Sequence, residues 1–166
     1  MRNKKRNSIR FDTDQIMRNI IKGNYRRIGS GTARRVFDLD NGYVAKVAKN
    51  NKGIAQNKAE FEIASGRRCR LFARVALTTK DYSLLIMERA ERINSMSDVL
   101  QYFNVRDNNQ LFQLKEFENI PELDLCIADL CRPVNWGMIK NRPVIVDYGF
   151  TYSVKNKYYH KQAFRF

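Results

Sequence analysis

Two polar residues in the last third of the chain, Asn135 and Asp147, have side chains and a spacing that let them meet at one point. Asn135 stands in Asp129-Leu-Cys-Arg-Pro-Val-Asn135-Trp-Gly, and Asp147 follows an apolar run in Val144-Ile-Val-Asp147-Tyr-Gly149-Phe-Thr. Oxygen ligands on adjacent strand ends, separated by a short hairpin, can converge on one cation. A carboxylate at the mouth of a buried strand is costly unless a cation or a donor meets it, so Asp147 is expected to have one or the other. Asn135 has the alternative of bonding its own loop, and Trp136 that of packing in the core.

A second set lies near the start. Ile28-Gly29-Ser30-Gly31-Thr32-Ala33-Arg34-Arg35-Val36-Phe37 reads as strand, turn and strand, and Gly29 and Gly31 let the backbone around Ser30 come close to phosphate oxygens. A dinucleotide fingerprint needs a helix to open after its glycines, whereas the β-type run Val36-Phe37 follows here. The Gly-Lys-Ser/Thr ending of a P-loop is also missing. The next strand, Val44-Ala45-Lys46-Val47-Ala48-Lys49, offers two lysines for phosphate neutralisation. A two-residue turn at Asn41-Gly42 would set Val36 opposite Val47 and favour Lys49. The sole histidine, His160, has no partner at a catalytic spacing, which argues against nucleophile–histidine hydrolase chemistry.

Taken in order, these parts resemble the protein kinases and small-molecule phosphotransferases over about residues 25–151, and are similar to short kinase-like proteins encoded by tailed bacteriophages. The resemblance implies ATP and magnesium as cofactors, with Gly29, Ser30, Gly31 and Val36 in the nucleotide loop and Arg34 where the third glycine usually stands. Lys46, in a Val-x-Lys pattern, would be the catalytic strand lysine on the phosphates. Its carboxylate partner would be Glu60, in Gln56-Asn57-x-x-Glu60, with Glu62 the competitor. Leu84-Leu-Ile-Met87-Glu88 would enter a hinge, where backbone groups from Glu88 to Ala90 bond the adenine edge and Met87 or Ile86 backs it. Asp129 would orient or deprotonate the acceptor hydroxyl as catalytic base, while Asn135 and Asp147 hold magnesium. One departure stands out: kinases place four residues between that Asp and that Asn. Asp129 and Asn135 have five between them. Only 17 residues follow Gly149, so the resemblance implies a reduced second lobe. The function implied is an ATP- and magnesium-dependent phosphotransferase of unspecified acceptor. The alternative is an inactive, pseudokinase-type binding module that engages a host protein or nucleic acid through its basic surface.

The elements that must position these residues can be read from periodicity. Thr13-Asp14 is a candidate cap for a short helix with Ile16, Met17, Ile20 and Ile21 at helical spacing. A three-stranded meander spans Tyr25 to Lys49, with a first strand ending at Ile28, and Asn51-Lys-Gly breaks it. A helix is expected from Ile54 to about Phe72, strands at Val75-Ala-Leu and Asp81 to Glu88, and helix from Ser97 to Phe117. Leu125 to Asp129, Gly137 to Ile139 and Pro143 to Val146 read as short buried β segments. The expected fold is α+β and protein-kinase-like: a five-stranded antiparallel N-lobe sheet with one helix, then a reduced, mainly helical C-lobe. The lobes divide one domain, residues 1–166, at about residue 90, behind a basic arm at 1–12.

Composition sets the outer bounds. The chain has 166 residues, 43% of them apolar, enough for one domain with a real core. A formal charge of +14 favours polyanionic partners such as nucleotide, nucleic acid or an acidic protein surface. Cys69, Cys126 and Cys131 are odd in number with no second ligand cluster, so neither a disulfide framework nor a zinc site is suggested, and reduced, buried thiols are expected. The basic N-terminus lacks the apolar stretch of a signal peptide and no run is long enough to span a bilayer, so a cytoplasmic protein is expected, in the host cytoplasm if phage-encoded. The tail from Lys155 interleaves cations with Tyr158, Tyr159, Phe164 and Phe166, a pattern suited to nucleic acid or to packing back on the domain.

Overall fold

Side chains alternate across a pleated sheet, so neighbouring rows of one ladder serve opposite faces. In a computed structural model of the chain, which describes residues 10–66 and 70–159, that alternation decides where the polar groups go. Helix α1 (Thr13–Ile21) leads into strands β1 (Arg27–Ser30), β2 (Arg34–Asp38) and β3 (Tyr43–Ala48), then helix α2 (Asn51–Gly66). Strands β4 (Val75–Thr78) and β5 (Leu84–Glu88) complete an antiparallel sheet of order β1-β2-β3-β5-β4. One row runs Phe37, Ala45, Ile86; the next runs Val36, Lys46, Leu85. The first row faces α1, packing with Ile16, Leu39 and Leu84. The second faces the rest of the molecule.

The remainder comprises strand β6 (Glu91–Arg92), helices α3 (Met96–Phe103), α4 (Asn108–Gln113) and α5 (Ile127–Leu130), strands β7 (Trp136–Ile139) and β8 (Arg142–Ile145), and helix α6 (Tyr152–Tyr159). Strands β6, β7 and β8 form a second antiparallel sheet. Val44, Leu85 and Met87 from the first sheet share one core with Val99, Leu111, Phe117, Trp136, Ile145 and Tyr148. A parallel bridge between Phe72 and Ile145 ties the two halves, with Ala73 N donating to Ile145 O at 2.9 Å. The expected α+β architecture with its five-stranded antiparallel sheet is thus what forms, with α1 as a second helix on that sheet.

Several boundaries differ from the sequence expectation, each for a local reason. Asp12, not Thr13-Asp14, caps α1: its Oδ1 accepts from Gln15 N at 2.9 Å. Ile21 is 79% exposed and takes no part in the face that packs. Strand β1 continues through Gly29 and Ser30, which pair with Val36 and Arg35. Asn51-Lys-Gly ends the meander as expected but also opens α2, ahead of the expected start at Ile54, because Asn50 Oδ1 accepts from Lys52 N at 3.0 Å and Gly53 N at 3.3 Å. The stretch from Ser97 to Phe117 is interrupted: Asn104 takes the left-handed conformation (φ 55°) after α3, and Asp107 caps α4 afresh. Leu125 to Asp129 is not a strand; only Leu125 makes a bridge, to Thr151, and Ile127 onward is helical. Residues 1–9 of the basic arm, Cys69, His160 and the tail beyond it lie outside the described residues. Among the described residues no helix is long and apolar enough to cross a membrane.

At Gly53 the start of α2 lies close against the backbone at Ala33 and Ala48. A Cβ there would collide with the Ala33 carbonyl oxygen and sit 3.0 Å from Ala48 Cα, both backbone atoms. Gly53→Ala is therefore expected to lose about 2–3 kcal/mol of stability by overpacking, more than its better helix propensity returns. Urea denaturation checks this; an unchanged midpoint would show that the helix start can shift freely.

Candidate functional site

The β2–β3 register fixes which lysine points inward. Val36 pairs with Lys46 and Asp38 with Val44, and the connection closes with Leu39 N donating to Tyr43 O at 3.0 Å. Asp40 (φ 56°) and Gly42 (φ 85°) carry the turn, one residue longer than the tight Asn41-Gly42 alternative. Lys46 therefore shares a face with Val36 and is 5% exposed. Lys49 instead braces the glycine hairpin, its Nζ donating to Gly31 O at 2.9 Å.

Glu60 is fully buried on α2 and receives Lys46 Nζ on both oxygens, at 2.8 and 2.9 Å. Lys46 Nζ also donates to Val146 O at 2.6 Å. Glu62 pairs on the surface with Lys58 at 3.7 Å, so the structure separates the two candidates. Asn57, also fully buried, donates Nδ2 to Lys46 O at 3.2 Å and Tyr82 O at 2.9 Å, locking the helix to the strand.

The residue that sequence reasoning missed is Arg34. Two positions before Val36, it lies on the same face of β2, and its side chain is 7% exposed. Its Nη2 donates to Asp147 Oδ1 at 2.6 Å, and its Nη1 lies 3.0 Å from Glu60 Oε2 and donates to Asn57 Oδ1 at 3.2 Å. The strand period was the signal: an arginine in phase with Val36 must enter the cleft, whatever residue a glycine loop usually has there.

Asp147 follows β8, and Tyr148 and Gly149 dock it on α2. Tyr148 N donates to Glu60 Oε1 at 3.3 Å, and its hydroxyl to Ala73 O at 2.9 Å. A Cβ at Gly149 would collide with the Gln56 carbonyl oxygen, so glycine is what lets the segment lie against α2. Asp147 keeps 45% of its side chain exposed. Burial of its inner part would raise the carboxyl, but Arg34 and then Lys46 outweigh this and hold it below the ordinary carboxylate range. Burial lowers the Lys46 ammonium despite Glu60, while Arg34 stays above its ordinary value because Glu60 and Asp147 overcome its desolvation.

Asp129 sits on α5 across the cleft, its Oδ1 accepting from Arg132 Nη1 at 3.3 Å. Partial burial, then the charge of Asp147, raises its carboxyl above the usual value. Asn135 Nδ2 donates to the Asp129 carbonyl at 2.7 Å, so the asparagine does bond its own loop. Between them α5 gives way to a 3-10 turn at Pro133–Asn135. Trp136 is buried, its indole N–H donating to Leu130 O at 2.7 Å.

Arg34, Lys46, Asp129, Asn135, Trp136 and Asp147 line a cleft of about 730 Å³ under the glycine hairpin. Gly31 has no atom within 4 Å of where a Cβ would be, so open space lies beside it. Met87 lines the cleft, whereas Ile86 belongs to the opposite face and cannot back a ligand there. At the hinge, Glu88 N donates to Arg74 O and Arg89 N to Gly42 O, both at 2.9 Å, so neither of these N–H groups is left for a base edge. Ala90 remains, beside Gly137, which is small enough to let β7 pass it.

The expected magnesium fits poorly. One oxygen of Asp147 is held by a guanidinium, and Asn135, tied to its own loop through Nδ2, offers only its amide oxygen. A dication at Asp147 would have to sit beside Arg34 or displace it. At the cleft's far end Tyr159 is packed back on the domain, bonded to Gln56 Nε2 at 3.1 Å and stacked edgewise on Phe150.

No family model and no curated protein matches the sequence. Among solved structures, the chain is similar to the streptomycin–ATP ternary complex of APH(2'')-IIa, with 17% identity and a TM-score of 0.48 over 85% of this chain and 72% of that one. It is similar to the gentamicin complex of APH(2'')-IIa, with 19% identity and a TM-score of 0.48 over 86% and 71%. It is also similar to ADP-bound aminoglycoside phosphotransferase APH(2'')-Ib, with 17% identity and a TM-score of 0.44 over 81% and 70%.

Proposed function

We propose that the cleft binds a nucleoside triphosphate, ATP in the first instance, and that the chain is a phosphotransferase of protein-kinase-like fold. The observation that carries this is the buried Lys46 ammonium, held on both Glu60 oxygens beneath the glycine hairpin and facing Asp129 and Asp147 across the cleft. Catalysis of this kind is positioning and charge neutralisation. Lys46 and Arg34 supply positive charge to the phosphate oxygens. Asp129, with its raised carboxyl, accepts the proton of an acceptor hydroxyl as the new O–P bond forms and the bond to the β–γ bridging oxygen breaks, releasing ADP.

A second reading, a non-catalytic binding module, is favoured by one contact. Arg34 already satisfies Asp147, so the site is stable without any ligand.

A thermal-shift titration separates the two. ATP at a hundredfold excess over its Kd stabilises by about 2.7 kcal/mol, a rise of roughly 5–10 °C for a chain of this size. Lys46→Met should abolish the rise, and Asp129→Asn should keep it while slowing phosphoryl transfer by about a hundredfold or more. If the parent protein shows no rise, the nucleotide reading is wrong and the binding module stands.

A further inference from the structure

We infer that Arg34 takes the place of a divalent cation in this cleft, so that the nucleoside triphosphate binds without metal. The inference rests on the nucleotide reading above and goes beyond it. Four charged groups meet where that reading puts the phosphates. Arg34 and Lys46 are cations, Glu60 and Asp147 anions, and the set is neutral as it stands. Without Arg34 the remaining three would carry one excess negative charge beside a bound polyphosphate, which is the situation a dication relieves. With Arg34 that excess is removed by a group that cannot dissociate.

The geometry makes this charge fixed. Arg34 leaves a regular strand, its side chain is nearly buried, and three acceptors from separate segments hold it: Asp147 Oδ1, Glu60 Oε2 and Asn57 Oδ1. A guanidinium has five N–H donors in a planar fork, so three acceptors do not exhaust it. Arg34 lines the cleft, and its remaining donors can be offered to phosphate oxygens in the bidentate manner that guanidinium favours. The same side chain engages the carboxylate that would otherwise be the metal's main ligand. A divalent ion and Arg34 thus compete for Asp147 Oδ1.

The test compares ATP affinity in excess EDTA and in excess magnesium chloride by isothermal titration, on the parent protein and on Arg34→Gln. The parent is expected to bind equally in both, within about threefold, while Arg34→Gln binds about tenfold or more weakly in EDTA and regains affinity with magnesium. That gain of metal dependence is a signature that mere loss of packing would not produce. Binding by the parent only in magnesium would overturn the inference and leave the nucleotide reading intact. Failure of the parent to bind in either buffer would overturn both. Should Arg34→Gln not fold, as judged by its circular dichroism, the parent's two affinities decide alone.

Discussion

Glu60→Ala is expected to remove about 3–5 kcal/mol of folding stability, because it leaves buried cations without their shared counter-charge. Glu60 is fully buried and holds Lys46 at 2.8 and 2.9 Å, Arg34 at 3.0 Å and the Tyr148 N–H at 3.3 Å. Alanine leaves Asp147, itself 45% exposed, to face both cations. Against a total stability of roughly 8–25 kcal/mol for a chain of this length, such a loss is severe. Urea denaturation followed by far-ultraviolet circular dichroism should show the midpoint falling by about 2 M. The paired control replaces the whole inner set, Arg34→Leu, Lys46→Met and Glu60→Leu. Its loss should be smaller than that of Glu60→Ala, since a removed ion network costs less than a broken one. If Glu60→Ala loses less than about 1 kcal/mol, the charges are free to reorganise and are not a fixed buried set.

Trp136→Ala should cost about 3–5 kcal/mol, by a different mechanism. The indole is 1% exposed, lies in the shared core with Phe117 at a ring distance of 6.3 Å, and donates to Leu130 O at 2.7 Å. Alanine leaves a cavity among residues drawn from both sheets, and also frees the turn that carries Asn135. Trp136→Phe keeps most of the volume and loses chiefly the hydrogen bond, so about 1–2 kcal/mol is expected. Because this is the only tryptophan, unfolding of both variants must be followed by circular dichroism rather than fluorescence. Equal losses for the two substitutions would refute the cavity argument and assign the whole effect to the hydrogen bond.

The residues most legible in the sequence were those whose environment repeats along an element. Met87 and Lys46 alternate correctly with their strands, and Glu60 falls one helical turn after Gln56 and Asn57, which turn inward with it. Lys46 and Lys49 could not be separated by pattern, because a single residue in the β2–β3 turn exchanges the faces of a strand, and turn length is set by the backbone of Asp40 and Gly42. The helix at Ile127–Leu130 was hidden for another reason. It is one turn long, too short for helical period to show, and its apolar residues resemble a buried strand. At Arg34 two signals conflict: the family pattern has glycine at this position, while strand period sends the side chain into the cleft. The hinge N–H groups were invisible at the level of sequence, because their acceptors, Arg74 O just before β4 and Gly42 O in the β2–β3 turn, lie far away along the chain.

The Arg34–Asp147 contact joins residues 113 positions apart, and that separation has a kinetic meaning. Strands β1 to β5 and α2 all lie within residues 27–88, so the sheet, Lys46, Glu60 and Arg34 can assemble through local pairings. Asp147 arrives only when β8 has docked at Leu71 and Ala73. Closing so long a loop is slow compared with forming hairpins, which places this contact among the last to form as the chain folds. During synthesis the first half would therefore stand with two cations on one carboxylate, an excess of positive charge that the growing chain later cancels. The cleft is completed by the same event that joins the two halves, since Asp129, Asn135 and Asp147 on its far wall all come from the second.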